Sequence, residues 1–295
     1  MAKRKQIKDE EMRDAGSDDR VRNDSDESGS DEDTEMVNVE FEWFDPHPDH
    51  DFHGIKTLLR QLFDNDALLF DLSALTDLIL AQPLLGSTVK VDGQETDPYA
   101  FLSVLNLHEH QNKPVVKDLT NYLAQKSSAN ANLSNISSAL SSSDARVGLI
   151  LTERLINIPS EVVPPMYSML LEEISWALEE KEPYDFTHYL IISKTYTEVE
   201  SKLDQEDDRP QKKKKGSKNS NEIFFFHPED EVLQKHAMGH GGFEYTNQSG
   251  EGVSDSKRVF QDLGIRPQGH MMLIEASKFS GAINAISEYL NPSSI

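Results

Sequence analysis

The residues best equipped for chemistry crowd into one run, HPDHDFH, where His47, His50 and His53 alternate with Asp49 and Asp51. Imidazoles and carboxylates at this density are the donor set of a transition-metal site. The competing reading is a loop that opens a helix, with Pro48 in the first turn and Asp51 as its cap. No cysteine and no second cluster supports a metal site, so the loop is expected. His236 and His240 stand four apart, as two ligands on a helix would, but Gly239, Gly241 and Gly242 interrupt that helix. The HGGF run at 240–243 could be an oxyanion loop, yet no G-x-S-x-G accompanies it, and a glycine turn is expected. Phosphate-binding G-x-x-x-x-G-K-[ST] and G-x-G-x-x-G and the metalloprotease H-E-x-x-H do not occur. Trp43, Trp176 and EIFFF at 222–226 could stack a ligand or base, but aromatic residues on strands and helices usually fill a core, and core is expected.

The elements that must position these residues alternate in a readable order. Val37, Val39, Phe41 and Trp43 fall on one face of a strand over 37–44. Phe52, Ile55, Leu58, Leu59 and Leu62 recur at helical spacing over 51–63, and a second helix over 72–81 ends at Gln82-Pro83. Strands over 87–91 and 99–107 flank the turn-rich DGQETDP, which signals a hairpin. A short helix over 115–125, a strand over 147–158, a helix over 165–181 and a strand over 186–193 follow. Strands over 222–226, 243–246 and 270–275 and helices over 229–237 and 279–290 complete the chain. The fold class is α/β, a mixed sheet with helices on both sides. This order resembles the three-layer architecture of the GNAT acetyltransferases, whose loop after the fourth strand holds the acetyl-CoA pyrophosphate on backbone amides. The matching junction here, NIPSEVVPP, lacks glycine, and Pro159, Pro164 and Pro165 have no N–H to offer a phosphate. An acetyltransferase-like fold without its cofactor loop is expected, with no cofactor and no catalytic residue.

Charge divides the chain further. The 295 residues carry 29 Lys+Arg against 52 Asp+Glu, net -23, and no cysteine, so disulfides, thiolate metal sites and cysteine nucleophiles are excluded. A surface this negative repels phosphate backbones, which makes a direct nucleic-acid partner unexpected and a basic protein partner the better fit. No stretch is apolar enough to insert in a membrane. Residues 9–40 hold 14 acidic and 3 basic residues, and 1–36 is expected to be a disordered acidic tail. Residues 37–295 are expected to form one domain, carrying a flexible Ser-rich insertion at 127–143 and a basic loop at 205–221. The loop's Lys212, Lys213, Lys214 and Lys215, with Lys3, Arg4 and Lys5, are candidate nuclear import signals, implying nuclear transport receptors as partners. Ser28 and Ser30 each precede an acidic residue by three positions and are candidate phosphorylation sites. Glu172, Glu173, Glu179, Glu180 and Glu182 are expected to face solvent.

Specific strings add a family. VNVEFEWFDP, DFHGIKTLLRQLF, GSTVKVDGQETDPYAFLSVLNLHEH, VGLILTERLINIPSEVVPPMY, FTHYLIISKTY and FFFHPEDEVLQKHA cover most of residues 37–240 in order. They resemble the BCCIP family of eukaryotic nuclear proteins, and the acidic tail and Lys-rich loop fit its fungal branch. That resemblance implies a non-enzymatic nuclear chaperone that binds a basic large-subunit ribosomal protein during 60S biogenesis. It also implies nuclear export of a lipid kinase, the phosphatidylinositol-4-phosphate 5-kinase, so a nuclear protein that shuttles to the cytoplasm is expected, as a monomer. Alternatives are a nuclear scaffold in cell-cycle or DNA-repair complexes and an atypical acetyltransferase. The family brings no catalytic residues, and the surface that binds the client stays open.

Overall fold

Alternation of apolar side chains along the strands dictates two buried faces, and hence helices on both sides of one sheet. The computed structural model describes residues 39–82, 85–198, 222–247 and 264–290. Eight strands build the sheet among these residues: β1 Glu42–Phe44, β2 Ser87–Lys90, β3 Ala100–Asn106, β4 Val147–Arg154, β5 His188–Glu198, β6 Ile223–Phe225, β7 Gly239–Phe243 and β8 Ile265–Glu275. Their order is β1-β2-β3-β4-β5-β8-β7, with β6 also paired to β5. Every pairing is antiparallel except β4 with β5.

Odd and even positions split cleanly between the layers. Phe101, Leu105, Leu149, Leu151, Leu190, Ile192, Met271 and Leu273 point into one core, beneath α1 Pro48–Phe63, α2 Leu72–Leu80, α3 Pro114–Ser128 and α4 Ser134–Ser141. Leu102, Val104, Ile150, Tyr189, Ile191, Met272 and Ile274 point into the other, beneath α5 Val163–Glu179, α6 Pro228–His236 and α7 Ala276–Leu290. Proline opens α1, α3 and α6, where a missing N–H costs nothing. Asp71 caps α2 by accepting from the Ser73 and Ala74 amides.

Three expectations need correction. The first strand is short, with Val39 exposed, because β1 is a sheet edge covered on neither face as fully as the pattern suggested. The Ser-rich stretch 127–143 is not a flexible insertion: α3 continues to Ser128, a 3-10 turn spans Ala131–Leu133, and α4 follows. Its Leu133 and Ile136 are fully buried, each stabilising by about 1.5–3 kcal/mol. The HGGF run is not a turn but the heart of β7, the sheet's other edge. These last two errors are one feature, since the Asn-rich turn lies on that edge. Asn130 donates to Gly242 O at 3.0 Å and Asn135 to Met238 O, so amide side chains occupy edge carbonyls that could otherwise template another strand. A Cβ on Gly239 would sit 3.0 Å from Asn135, and one on Gly241 3.2 Å from Asn130 and Leu133, so close approach rather than turning explains these glycines.

Candidate functional site

The parallel pair β4 and β5 stays in register only from Val147↔His188 to Ile150↔Ile191. Beyond that the strands part, and β6 takes the place beside β5 at Thr195–Thr197. Backbone separation leaves room for long side chains, and the gap is filled with charge. Glu153 and Arg154 end β4, Ser193 and Lys194 come from β5, and His227, Glu229 and Asp230 come from the start of α6. Glu153 is salt-bridged to Lys194 at 2.6 Å and accepts from His227 Nε2 at 2.7 Å. The Arg154 guanidinium makes a two-pronged pair with Glu229 at 3.1 and 3.2 Å and donates to Ile158 O at 2.8 Å. Ser193 donates to Asp230, and Gln61 from α1 donates to Glu153 and to the Arg154 carbonyl.

Titration follows the pairing. Burial alone would raise the Glu153 carboxyl, but Lys194 and His227 outweigh it and hold the group below its ordinary value. Burial would lower His227, and its bond to Glu153 raises it instead. Asp230 gains no cation of its own, so burial and the neighbouring Glu229 push it up to about 7, against the opposing pull of His227 and Ser193. Tyr167 on α5 is raised by burial and by Asp230 and Glu229, and its hydroxyl has no partner among the described residues. The cavity among these groups is about 10 Å³, the space of roughly one water molecule. Such a site holds charge in place and cannot admit a substrate without opening.

A second buried pair, Lys90 with Asp51 at 2.5 Å, links β2 to α1. It answers the question posed by HPDHDFH. Asp51 does not cap the helix; His47 does, accepting from the Asp49 amide at 3.2 Å, while Asp51 accepts from the His47 amide at 2.7 Å and points at Lys90. His53 is exposed on the far side of its helix turn. Among the described residues no group of three His, Asp or Glu is placed to hold a metal ion. His236 ends α6 and His240 lies in β7 with its ring 6.0 Å from that of His270. His270 is buried, lowered to about 4 by burial and then by His240, and neither ring nitrogen has a partner among the described residues.

The outer surface of α5 contrasts with this interior. Glu172, Glu179 and Glu180 are exposed, as the sequence suggested. Glu173 is not: it is buried, accepts from the Gly86 amide at 2.7 Å, and is raised to about 7 by burial, then by Asp45 and Glu172. Nor are the tryptophans core. Trp176 is 57% exposed on α5, and Trp43 is 37% exposed with its indole N–H on Val162 O at the start of the same helix. Of the EIFFF run, Ile223 is exposed and the three phenylalanines are half-buried. Lys3, Arg4, Lys5, Lys212, Lys213, Lys214, Lys215, Ser28 and Ser30 lie outside the described residues, as do the acidic tail and the basic loop. Sequence reading missed Lys90, Glu153 and Lys194, although a lone charge inside an apolar strand, as in STVK and YLIISKTY, was the available signal.

Comparison with known proteins bears on this combination of closed interior and acidic exterior. The BCCIP family model matches residues 36–233. The chain belongs to the BCCIP family. Within that family it is 63% identical over 293 residues to "Protein bcp1" of Aspergillus oryzae, covering 99% of both chains. It is 51% identical to "Protein bcp1" of Schizosaccharomyces pombe over 261 residues, covering 87% of this chain and 91% of that one. The crystal structure of BCP1 from Saccharomyces cerevisiae superposes with a TM-score of 0.60 at 29% identity, covering 92% of this chain and 98% of that chain. Among the described residues no helix is long and apolar enough to cross a membrane.

Proposed function

We propose that this BCCIP-family chain is a non-enzymatic nuclear chaperone and escort. In this reading it holds a basic large-subunit ribosomal protein before assembly into the 60S subunit and supports nuclear export, including that of the phosphatidylinositol-4-phosphate 5-kinase. The observation that carries the reading is where the charge is left unpaired. Glu153, Glu229 and Asp51, all buried, have cations; Glu172, Glu179 and Glu180 on the outer face of α5 pair with none among the described residues. A ribosomal protein away from its RNA exposes lysines and arginines that otherwise meet phosphates. An acidic surface occupies them, speeds encounter through long-range attraction, and loosens as salt screens beyond a Debye length of about 8 Å.

The scaffold is read as acetyltransferase-like without acetyl-CoA. What supports this is the β4-to-α5 junction: Pro159 leads a 3-10 turn over Ser160–Val162, and Pro164 and Pro165 follow in the first turn of α5, where phosphate-binding amides would be needed. Arg154 donates to Ile158 O at 2.8 Å within that junction.

Co-expression with the basic large-subunit ribosomal protein, followed by copurification across a salt series, tests the proposal. A soluble stoichiometric complex that weakens with salt is expected, and acetyl-CoA is expected to leave the melting temperature unchanged. Persistent aggregation of the ribosomal protein at low salt would remove that client. A melting shift with acetyl-CoA would return an enzyme to consideration.

A further inference from the structure

Both tryptophans of this chain are solvent-exposed, and both adjoin one helix. Trp is highly buried on average and enriched at interface hot spots, so two exposed beside one helix call for a reason. Trp43 reaches the N-cap of α5 through Val162 O, and Trp176 stands in the later half of the same helix. Along that side run Asp45, close enough to Glu173 to raise it, then Glu172, Glu179 and Glu180. The helix carries no basic residue in its last turn, and Glu179 and Glu180 close it. Carboxylates there meet the negative end of the helix dipole, an arrangement that folding does not reward.

Resting on the basic-client reading above, we infer that the outer face of α5, with Trp43 and Asp45 beside it, is the docking surface for a lysine- and arginine-rich segment of a partner protein. Charge complementarity names the occupant. The exposed indole of Trp176 offers a cation–π face to a guanidinium or ammonium, and Glu172, Glu179 and Glu180 flank it with acceptors for the same groups. Unpaired carboxylates at a helix C-terminus then become an asset, because a bound cation relieves both the dipole clash and the crowding of Asp45, Glu172 and Glu173. Apolar contact to the two indoles supplies what screening by salt cannot remove, so specificity does not rest on charge alone.

The chain's two tryptophans make the test direct. The full-length protein is titrated with a synthetic, tryptophan-free, Lys/Arg-rich peptide while its intrinsic emission is followed, and copurification of the ribosomal protein is measured in parallel. A saturable, salt-sensitive change in emission is expected, largely lost in Trp176→Phe. The triple variant E172Q/E179Q/E180Q is expected to bind roughly tenfold more weakly, with unchanged circular dichroism. A control, D77N/D118N/D144N, removes three exposed carboxylates on the α2, α3 and α4 side and is expected to bind as the parent does. Equal weakening in both triple variants, or binding with no change in emission, would overturn this surface and leave the basic-client reading standing. Failure of the parent to take up either the peptide or the ribosomal protein would overturn both.

Discussion

The gap between β4 and β5 and the outer face of α5 are only a helix apart, yet they treat charge in opposite ways. In the gap, Glu153 is matched by Lys194 and His227, and Glu229 by Arg154, at 2.6 to 3.2 Å with little room for water. On α5, Glu172, Glu179 and Glu180 are exposed without such partners among the described residues. Desolvation explains the difference: a buried carboxylate must find its counter-ion during folding or, as Asp230 does, hold its proton to higher pH, whereas an exposed one can wait for a cation. Paired interior charge is therefore scaffold, and unpaired exterior charge is where a partner can contribute.

The comparison breaks first if the two kinds of carboxylate cost the same to remove. Glu153→Gln strands Lys194 in the interior and is expected to destabilise by about 3–5 kcal/mol, whereas Glu172→Gln is expected to change stability by about 0.5 kcal/mol or less. Denaturant midpoints of the two variants measure the contrast directly. A replacement of both Glu153 and Lys194 by Leu and Met is expected to recover only part of the loss, because the orphaned ammonium is gone while His227 still lacks its acceptor.

Acidity separates the regions next. Asp230 rises from 3.8 unfolded to about 7 folded, so between those values the native state holds a proton that the unfolded chain has released. Stability contributed through Asp230 therefore falls as pH rises from about 4 to about 7, by at most about 1.4 kcal/mol per pH unit. Glu173 has the same sign, and His227 adds stability below its raised value that is lost above it. Glu153 works oppositely, contributing above its ordinary range and losing that contribution as pH falls. Asp230→Asn isolates one member of this set: relative to the variant, the parent is expected to lose stability steadily across that window. Parallel slopes for parent and variant in denaturation series at several pH values would show that Asp230 ionises normally.

Much of this architecture is legible in the sequence, and the failures share a cause. The hairpin β2–β3 follows from a turn-rich segment between two apolar runs, and β4, α5 and β5 from periodicity, because each is held by its own side chains. β7 is different: GHGGF has almost no strand propensity, and the strand exists because β8 lies on one side and the Asn130–Asn135 segment on the other. The Ser-rich composition of 127–143 hid Leu133 and Ile136 in the same way. Glu173 differs from its neighbour Glu172 in helical phase, since it falls on the buried Met166, Leu170 and Ala177 stripe, but the Gly86 amide that lets a carboxylate sit there comes from a distant loop. Local pattern reports what an element does alone and is silent where tertiary contact decides.

That edge offers a third, smaller test. In Asn130→Ala/Asn135→Ala the carbonyls of Gly242 and Met238 lose their donors, at a cost of about 1 kcal/mol each. Because the freed strand can then pair with another chain, sedimentation is expected to reveal concentration-dependent association in the variant and none of comparable extent in the parent.

The smallest effect is also the most discriminating. Replacing Glu179 and Glu180 by Lys puts cations at the C-terminus of α5, and the dipole is expected to reward this by about 0.3–1 kcal/mol per site. If α5 were only a soluble face, nothing else would change. If it is the docking surface, the same substitutions raise the melting temperature slightly while weakening capture of a basic client by at least tenfold, since two attractions become repulsions. Stability and binding moving in opposite directions is a result that neither a folding defect nor a neutral surface can produce, and it would identify these carboxylates as retained for a partner at the expense of the helix that carries them.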